Sequence, residues 1–110
     1  AELFRVEPRV LIDNKASNRY TVIEVNASDR PALLYALTNG LFQQKLTIHS
    51  AHIATYGEKA TDTFYVTDLT GAKLDNPARL KAIEKRLLAI AATASPKVET
   101  LVEVGAEAAE

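Results

Sequence analysis

The sequence predicts an α+β domain in which a four-stranded antiparallel sheet carries two helices on one face. Three observations point there. Several short runs are β-branched and alternate in polarity, as strands with two unlike faces do. Two other runs repeat apolar residues every three or four positions, as helices lying on a sheet do. Each helical run is opened by polar residues and a proline, at Asp29-Arg30-Pro31 and at Asn76-Pro77, a start signal for a helix.

Size and composition set the bounds. A chain of 110 residues holds one hydrophobic core and is too short for two. With 47% hydrophobic residues, 25% charged residues and a formal net charge of -1, it reads as an ordinary globular domain without the basic stripe of a nucleic-acid binder. Its apolar runs are far shorter than the roughly 20 residues of a membrane span. Without cysteine it has neither disulfides nor thiolate metal sites, which fits a reducing cytoplasm. It also lacks methionine, so the expectation is a segment cut from a longer protein, with no export signal before the first strand.

Taken in order, Leu3 to Asn14 (LFRVEPRVLIDN) places Phe4, Val6, Val10 and Ile12 on one parity, a strand broken at Pro8. Asn14 to Asn18 is a turn. Tyr20 to Ala27 (YTVIEVNA) is a strand with Ile23 and Val25 toward the helices and Val22 and Glu24 on the other side. Pro31 then opens a helix as its first residue, capped by Ser28, Asp29 or Arg30, with Leu33, Leu34, Leu37 and Leu41 as its apolar stripe and an end near Gln43 to Lys45. In Leu46 to Thr55 (LTIHSAHIAT) alternation fails midway, and a bulge near His49 or Ser50 repairs it. A turn around Gly57 leads to the strand Lys59 to Asp68, with Phe64 and Val66 inward and Thr63 and Tyr65 outward. After a loop, Asn76 and Pro77 start a second helix lined by Leu80, Ile83, Leu87 and Ile90, running to about Ala94. The domain is expected over residues 1–95, with 96–110 a tail or one extra short strand at Lys97 to Val104.

This order, ββαββα, contains a split βαβ unit and fits the ferredoxin-like plan in permuted form. Either Arg9 to Asn14 or Val98 to Val104 closes the sheet beside the Tyr20 strand; the N-terminal run is the more local and is preferred. The uncovered sheet face, with Val22, Thr63, Tyr65 and the histidines, is expected to meet another domain. The start of the first helix is the candidate site. Free backbone N–H groups beside Asn26, Ser28 and Asp29 suit a small zwitterion, with its carboxylate on the N–H groups and its ammonium on Asp29. The same spacing also describes a capped turn that holds nothing.

The stretch ASDRPALLYALTNGLFQQKLTIHSAHIATYGEKATDTFYVTDLTG resembles an ACT domain, the small-ligand regulatory module of amino-acid metabolism. More narrowly, SAHIATYGEKATDTFYVTD, with the upstream VLIDN, is similar to the C-terminal ACT repeat of the bacterial bifunctional uridylyltransferase/uridylyl-removing enzymes, which modify the PII nitrogen-signal protein. The resemblance implies a ferredoxin-like ACT fold, glutamine or a related amino acid as effector, and a second ACT domain as partner, in tandem or in a homodimer. It implies a regulatory, non-catalytic segment in the cytoplasm, without a cofactor of its own, below nucleotidyltransferase and hydrolase domains that use a divalent metal such as Mg. By position it marks Asn26, Ser28, Asp29, Arg30, Pro31, Ala32 and Leu33 as ligand-binding, with His49, Ser50 and Ala51 from the next strand. ACT turns often carry glycine after the proline; here the residue is Ala32, whose Cβ crowds an approaching ligand.

Other chemistry finds little in the residues. Ser50, His52 and Asp62 assemble a hydrolytic triad only on paper, with no nucleophile turn or oxyanion loop. His49 and His52 share a face if the bulge is real, but lack a third ligand. Lys81, Glu84, Lys85 and Arg86 read as a solvated helix face. Two expectations follow: a regulatory module that binds an amino acid, or a structural domain that only pairs with another ACT unit.

Overall fold

The computed structural model describes residues 6–93. The sequence builds strand β1 (Arg9–Asp13), β2 (Thr21–Ser28), helix α1 (Leu33–Gln43), β3 (Leu46–Tyr56), β4 (Lys59–Asp68) and helix α2 (Pro77–Ala92). The sheet order is β1-β2-β4-β3, antiparallel at every pairing. This is the ferredoxin-like arrangement with its closing strand supplied from the N-terminus. The strand begins only after Pro8; Phe4 and the Lys97 to Val104 run lie outside the described residues.

Period-two alternation sets the two faces of β2 and β4. Ile23, Val25 and Ala27 of β2 and Ala60, Phe64 and Val66 of β4 are buried against the helices. Leu33, Leu37 and Leu41 of α1 and Ile83, Leu87 and Ile90 of α2 complete the core, with Val10, Ile12 and Leu80 packed at its margin. Each fully covered leucine contributes roughly 1.5–3 kcal/mol. Leu34, expected in the stripe, is 42% exposed. It lies one residue past Leu33, a turn of about 100° that carries it off the sheet. The helices approach closely at Gly40, where a Cβ would lie 2.7 Å from Ile90 Cδ1.

The register shifts between Ile48 and Ser50, which is the bulge that the broken alternation requires. It places both histidines on the open face, where Tyr20 lies 4.8 Å from His49 and His52 lies 5.3 Å from Tyr65, centroid to centroid. Gly57 at φ 56° opens the two-residue turn between β3 and β4. α2 starts as the sequence predicts: Asn76 is its cap, Oδ1 accepts from Arg79 N at 3.0 Å, and Pro77 fills the first turn.

α1 does not start where the sequence places it. The Arg30 carbonyl accepts from Leu33 N at 3.2 Å, closing a tight turn in which Pro31 is second and Ala32 third. Ala32 sits at φ 65°, ψ 9°, the conformation a type II turn demands of its third residue. Pro31 therefore precedes the helix, and Ser28, Asp29 and Arg30 do not cap it. Ala32 holds the cap position without a side-chain hydrogen bond.

Candidate functional site

The start of α1 is the place where sequence and fold converge. Ser28 ends β2, and Asp29 to Ala32 cross over the sheet end to the helix. The Asp29 N–H donates to the Glu58 carbonyl at 2.7 Å, tying this crossing to the β3–β4 turn. With no side-chain cap and no acidic residue in its first turn, α1 leaves N-terminal N–H groups unclaimed by side chains.

Arg30 folds inward. Its Nη2 donates to the carbonyl of Ile90, near the end of α2, at 3.3 Å, while its Nε is buried without a partner among the described residues. A second orphan accompanies it. Asp62 of β4 is 2% exposed, and its Oδ1 has no hydrogen-bond partner among the described residues. It stands opposite Val25 and Ile53, on the helix-facing side. Burial, and then the nearby Asp29 charge, push its carboxyl above the usual aspartate value.

The expected ligand residues divide into two groups. Ser28, Asp29, Arg30, Pro31 and Ala32 form one continuous segment at the mouth, and Leu33 roots it in the core. Ala51 is on the helix-facing side, opposite Phe64 and two register pairs from Asp62. Asn26, by contrast, belongs to the open face. Its Oδ1 accepts from Thr61 Oγ1 at 2.8 Å and its Nδ2 donates to Glu24 Oε2 at 3.1 Å. His49 and Ser50 are also on the open face, toward the Tyr20 end of the sheet. Thr67 Oγ1 donates to the Asp68 carbonyl, so the 2.8 Å contact with His49 is donated by the histidine Nε2.

Asp62 is the residue that the site reading missed. Its signal is in the sequence: it shares parity with Phe64 and Val66, so a carboxylate stands on the inward face. The same placement dissolves the paper triad, because Ser50 and His52 are on the opposite face from Asp62. No group of three or more His, Cys, Asp or Glu side chains suited to a metal ion occurs among the described residues. At the far end of the molecule a groove of about 320 Å³ runs between β1 and α2, lined by Ile12, Leu80 and Lys81 among others.

Comparison with known families decides the class. The family model for the ACR family N-terminal ACT domain matches residues 16–94. The chain belongs to the ACT-domain family. This ACT domain is 66% identical over 88 residues to a bifunctional uridylyltransferase/uridylyl-removing enzyme of Novosphingobium aromaticivorans, covering 80% of this chain and 10% of the relative. It is 68% identical over 88 residues to the Zymomonas mobilis protein of the same name, with the same coverage. Against the one from Erythrobacter litoralis it is 56% identical over 94 residues, 86% of this chain and 10% of the relative. The chain thus spans about a tenth of the length of these relatives. Among the described residues no helix is long and apolar enough to cross a membrane.

Proposed function

We propose that this ACT domain is the amino-acid-sensing, non-catalytic module of a bifunctional uridylyltransferase/uridylyl-removing enzyme. Glutamine binds at the start of α1, and its occupancy biases upstream catalytic domains between adding uridylyl groups to the PII protein and removing them, in the cytoplasm. The observation that carries the reading is the uncapped helix start: N–H groups that no side chain among the described residues claims, next to Asp29 and the half-buried Arg30, are complementary to a zwitterion. The high identity to enzymes of that name supports the parent's activity.

The module works with a second ACT unit. β3 is an edge strand, and its residues from His49 to Tyr56 are exposed, including Ile53 at 47% and Tyr56 at 85%. An edge this long invites pairing with another chain unless something covers it. Regulation then requires the effector to favour one arrangement of the paired units over another, by a coupling of typically 1–3 kcal/mol.

Calorimetry with glutamine tests this on the isolated chain and on the full-length parent. Binding in the parent, with a shift in the ratio of the two activities, is the expected result. Absence of glutamine binding in both overturns the sensor reading in favour of a structural pairing domain.

A further inference from the structure

Asp62 on the helix-facing side of the sheet and Arg30 in the crossing after β2 each carry one buried polar atom without a partner among the described residues, although Arg30 Nη2 is engaged by the Ile90 carbonyl. The two atoms are Asp62 Oδ1 and Arg30 Nε, and neither satisfies the other. Both belong to the same end of the molecule. Asp62 is two residues along β4 from Ala60, which pairs with Ala27, and Arg30 follows β2 by two residues and reaches Ile90 near the end of α2. A buried ionisable atom left unbonded costs more than one exposed to water. Folded domains leave few such atoms, and each calls for a reason.

A zwitterion satisfies both at once. Its ammonium group donates to a carboxylate, and its carboxylate accepts from a guanidinium. A plain cation or a plain anion would satisfy only one. The sheet next to Asp62 is also open on its outer side, because the residue across from it in the edge strand, Ile53, is 47% exposed. Asp29 adds a second negative charge close enough to act on Asp62.

Resting on the sensor reading above, we infer that Asp62 is the ammonium-binding carboxylate of the effector site and that Arg30 Nε is its carboxylate-binding donor. Asp62 of β4 thereby joins the helix-start segment in one site, and the effector is an α-amino acid with both charges free. Asn26, engaged by Thr61 and Glu24 on the opposite face, takes no direct part in this half of the site.

The test uses the full-length parent carrying this domain, with two probes measured by calorimetry: glutamine, and 4-carbamoylbutanoate, which is glutamine without its α-amino group. The wild type is expected to bind glutamine at least tenfold more tightly than the des-amino probe. Asp62→Asn should weaken glutamine binding tenfold or more and change des-amino binding less than threefold. Arg30→Gln should weaken both probes alike, since both carry the carboxylate. Glutamine binding unchanged in Asp62→Asn overturns the inference while leaving the sensor reading standing. Equal loss of both probes in that variant also overturns it, because the role would then be structural. A wild type that binds no glutamine overturns both. Far-UV circular dichroism confirms the fold of each variant, and Asp62→Ser is the substitute if Asp62→Asn does not fold.

Discussion

Asp62 of β4 stands opposite Val25 of β2 on the helix-covered side of the sheet, a carboxyl group in a row otherwise filled by the core. Burial and the Asp29 charge raise its pKa above 3.8, so the folded state holds its proton more tightly than the unfolded chain. Between those two pKa values the folded state binds more protons, and its stability falls as pH rises. Wild-type stability should therefore decline from about pH 4 upward until the carboxyl is fully ionised. Asp62→Asn should lack this decline and be at least as stable as the wild type at pH 7. Urea unfolding midpoints across pH 4 to 8 provide the check; parallel profiles would show that Asp62 is not desolvated.

At the other end of the sheet a buried hydroxyl ties three segments together. Thr21 Oγ1 donates to Asn14 Oδ1 at 2.6 Å and accepts from Leu74 N at 3.0 Å, and Thr21 itself is fully buried. Asn14 Nδ2 in turn donates to the Leu74 carbonyl. Thr21→Val keeps the shape and removes the hydroxyl, leaving one buried N–H and one amide oxygen unpaired. With about 1–3 kcal/mol for each orphaned group, partly relieved at half-buried Asn14, the expected loss is about 2–3 kcal/mol in equilibrium unfolding.

Ala32 carries a conformational cost that its neighbours impose. At φ 65° a residue with a Cβ loses about 1–2 kcal/mol relative to its preferred backbone, while glycine costs about 0.5–1 kcal/mol in chain entropy. Ala32→Gly should thus stabilise the domain by about 0.5–1 kcal/mol, read as a higher urea midpoint at unchanged slope. Ala32→Val, with a branched Cβ at the same angle, should destabilise it.

That turn also shows where a sequence stops being legible. Pro31 suits the first residue of a helix and the second residue of a type II turn equally, because both need φ near -65°. What chooses between them is the seating of Leu33, Leu37 and Leu41 on the sheet, a tertiary fact. The bulge was readable because alternation in LTIHSAHIAT cannot be kept without one. The first strand was readable from the parity of Val10 and Ile12, and its closing place beside β2 from the short connection between the two. Asn26 was read with the helix start because it is near it in sequence, yet period-two alternation turns its side chain to the other face. Asp62 was available from the same alternation, through Phe64 and Val66, and was hidden only by the expectation that inward positions are apolar.

Gly40 tests how tightly the two helices meet. A methyl there would approach Ile90 Cδ1 to 2.7 Å, but that atom is the far end of a flexible side chain. Relief by rotation of Ile90 sets against it the roughly 0.5–1 kcal/mol that alanine gains over glycine inside a helix. Gly40→Ala should change stability by less than about 1 kcal/mol. Gly40→Val adds two γ carbons beyond a Cβ that already lies 2.7 Å from Ile90 Cδ1 and 3.7 Å from Leu87 Cδ2, and should lose about 1–3 kcal/mol in thermal or urea unfolding.

Asp29 separates charge from scaffold. Its backbone N–H holds the Glu58 carbonyl, while α1 has no side-chain cap for its carboxylate to supply. Asp29→Ala therefore removes a charge and leaves the backbone bond in place, with an expected stability change within about 0.5 kcal/mol. The same charge helps to hold the Asp62 carboxyl above its usual range, so its removal should move the Asp62 pKa downward, measured from the side-chain carboxyl carbon by NMR titration. Under the proposed assignment of Asp62 to the effector's ammonium, glutamine binding should weaken as well, because a second negative charge close to Asp62 is gone. A variant in which the Asp62 titration does not move would place the two carboxylates too far apart to share a ligand.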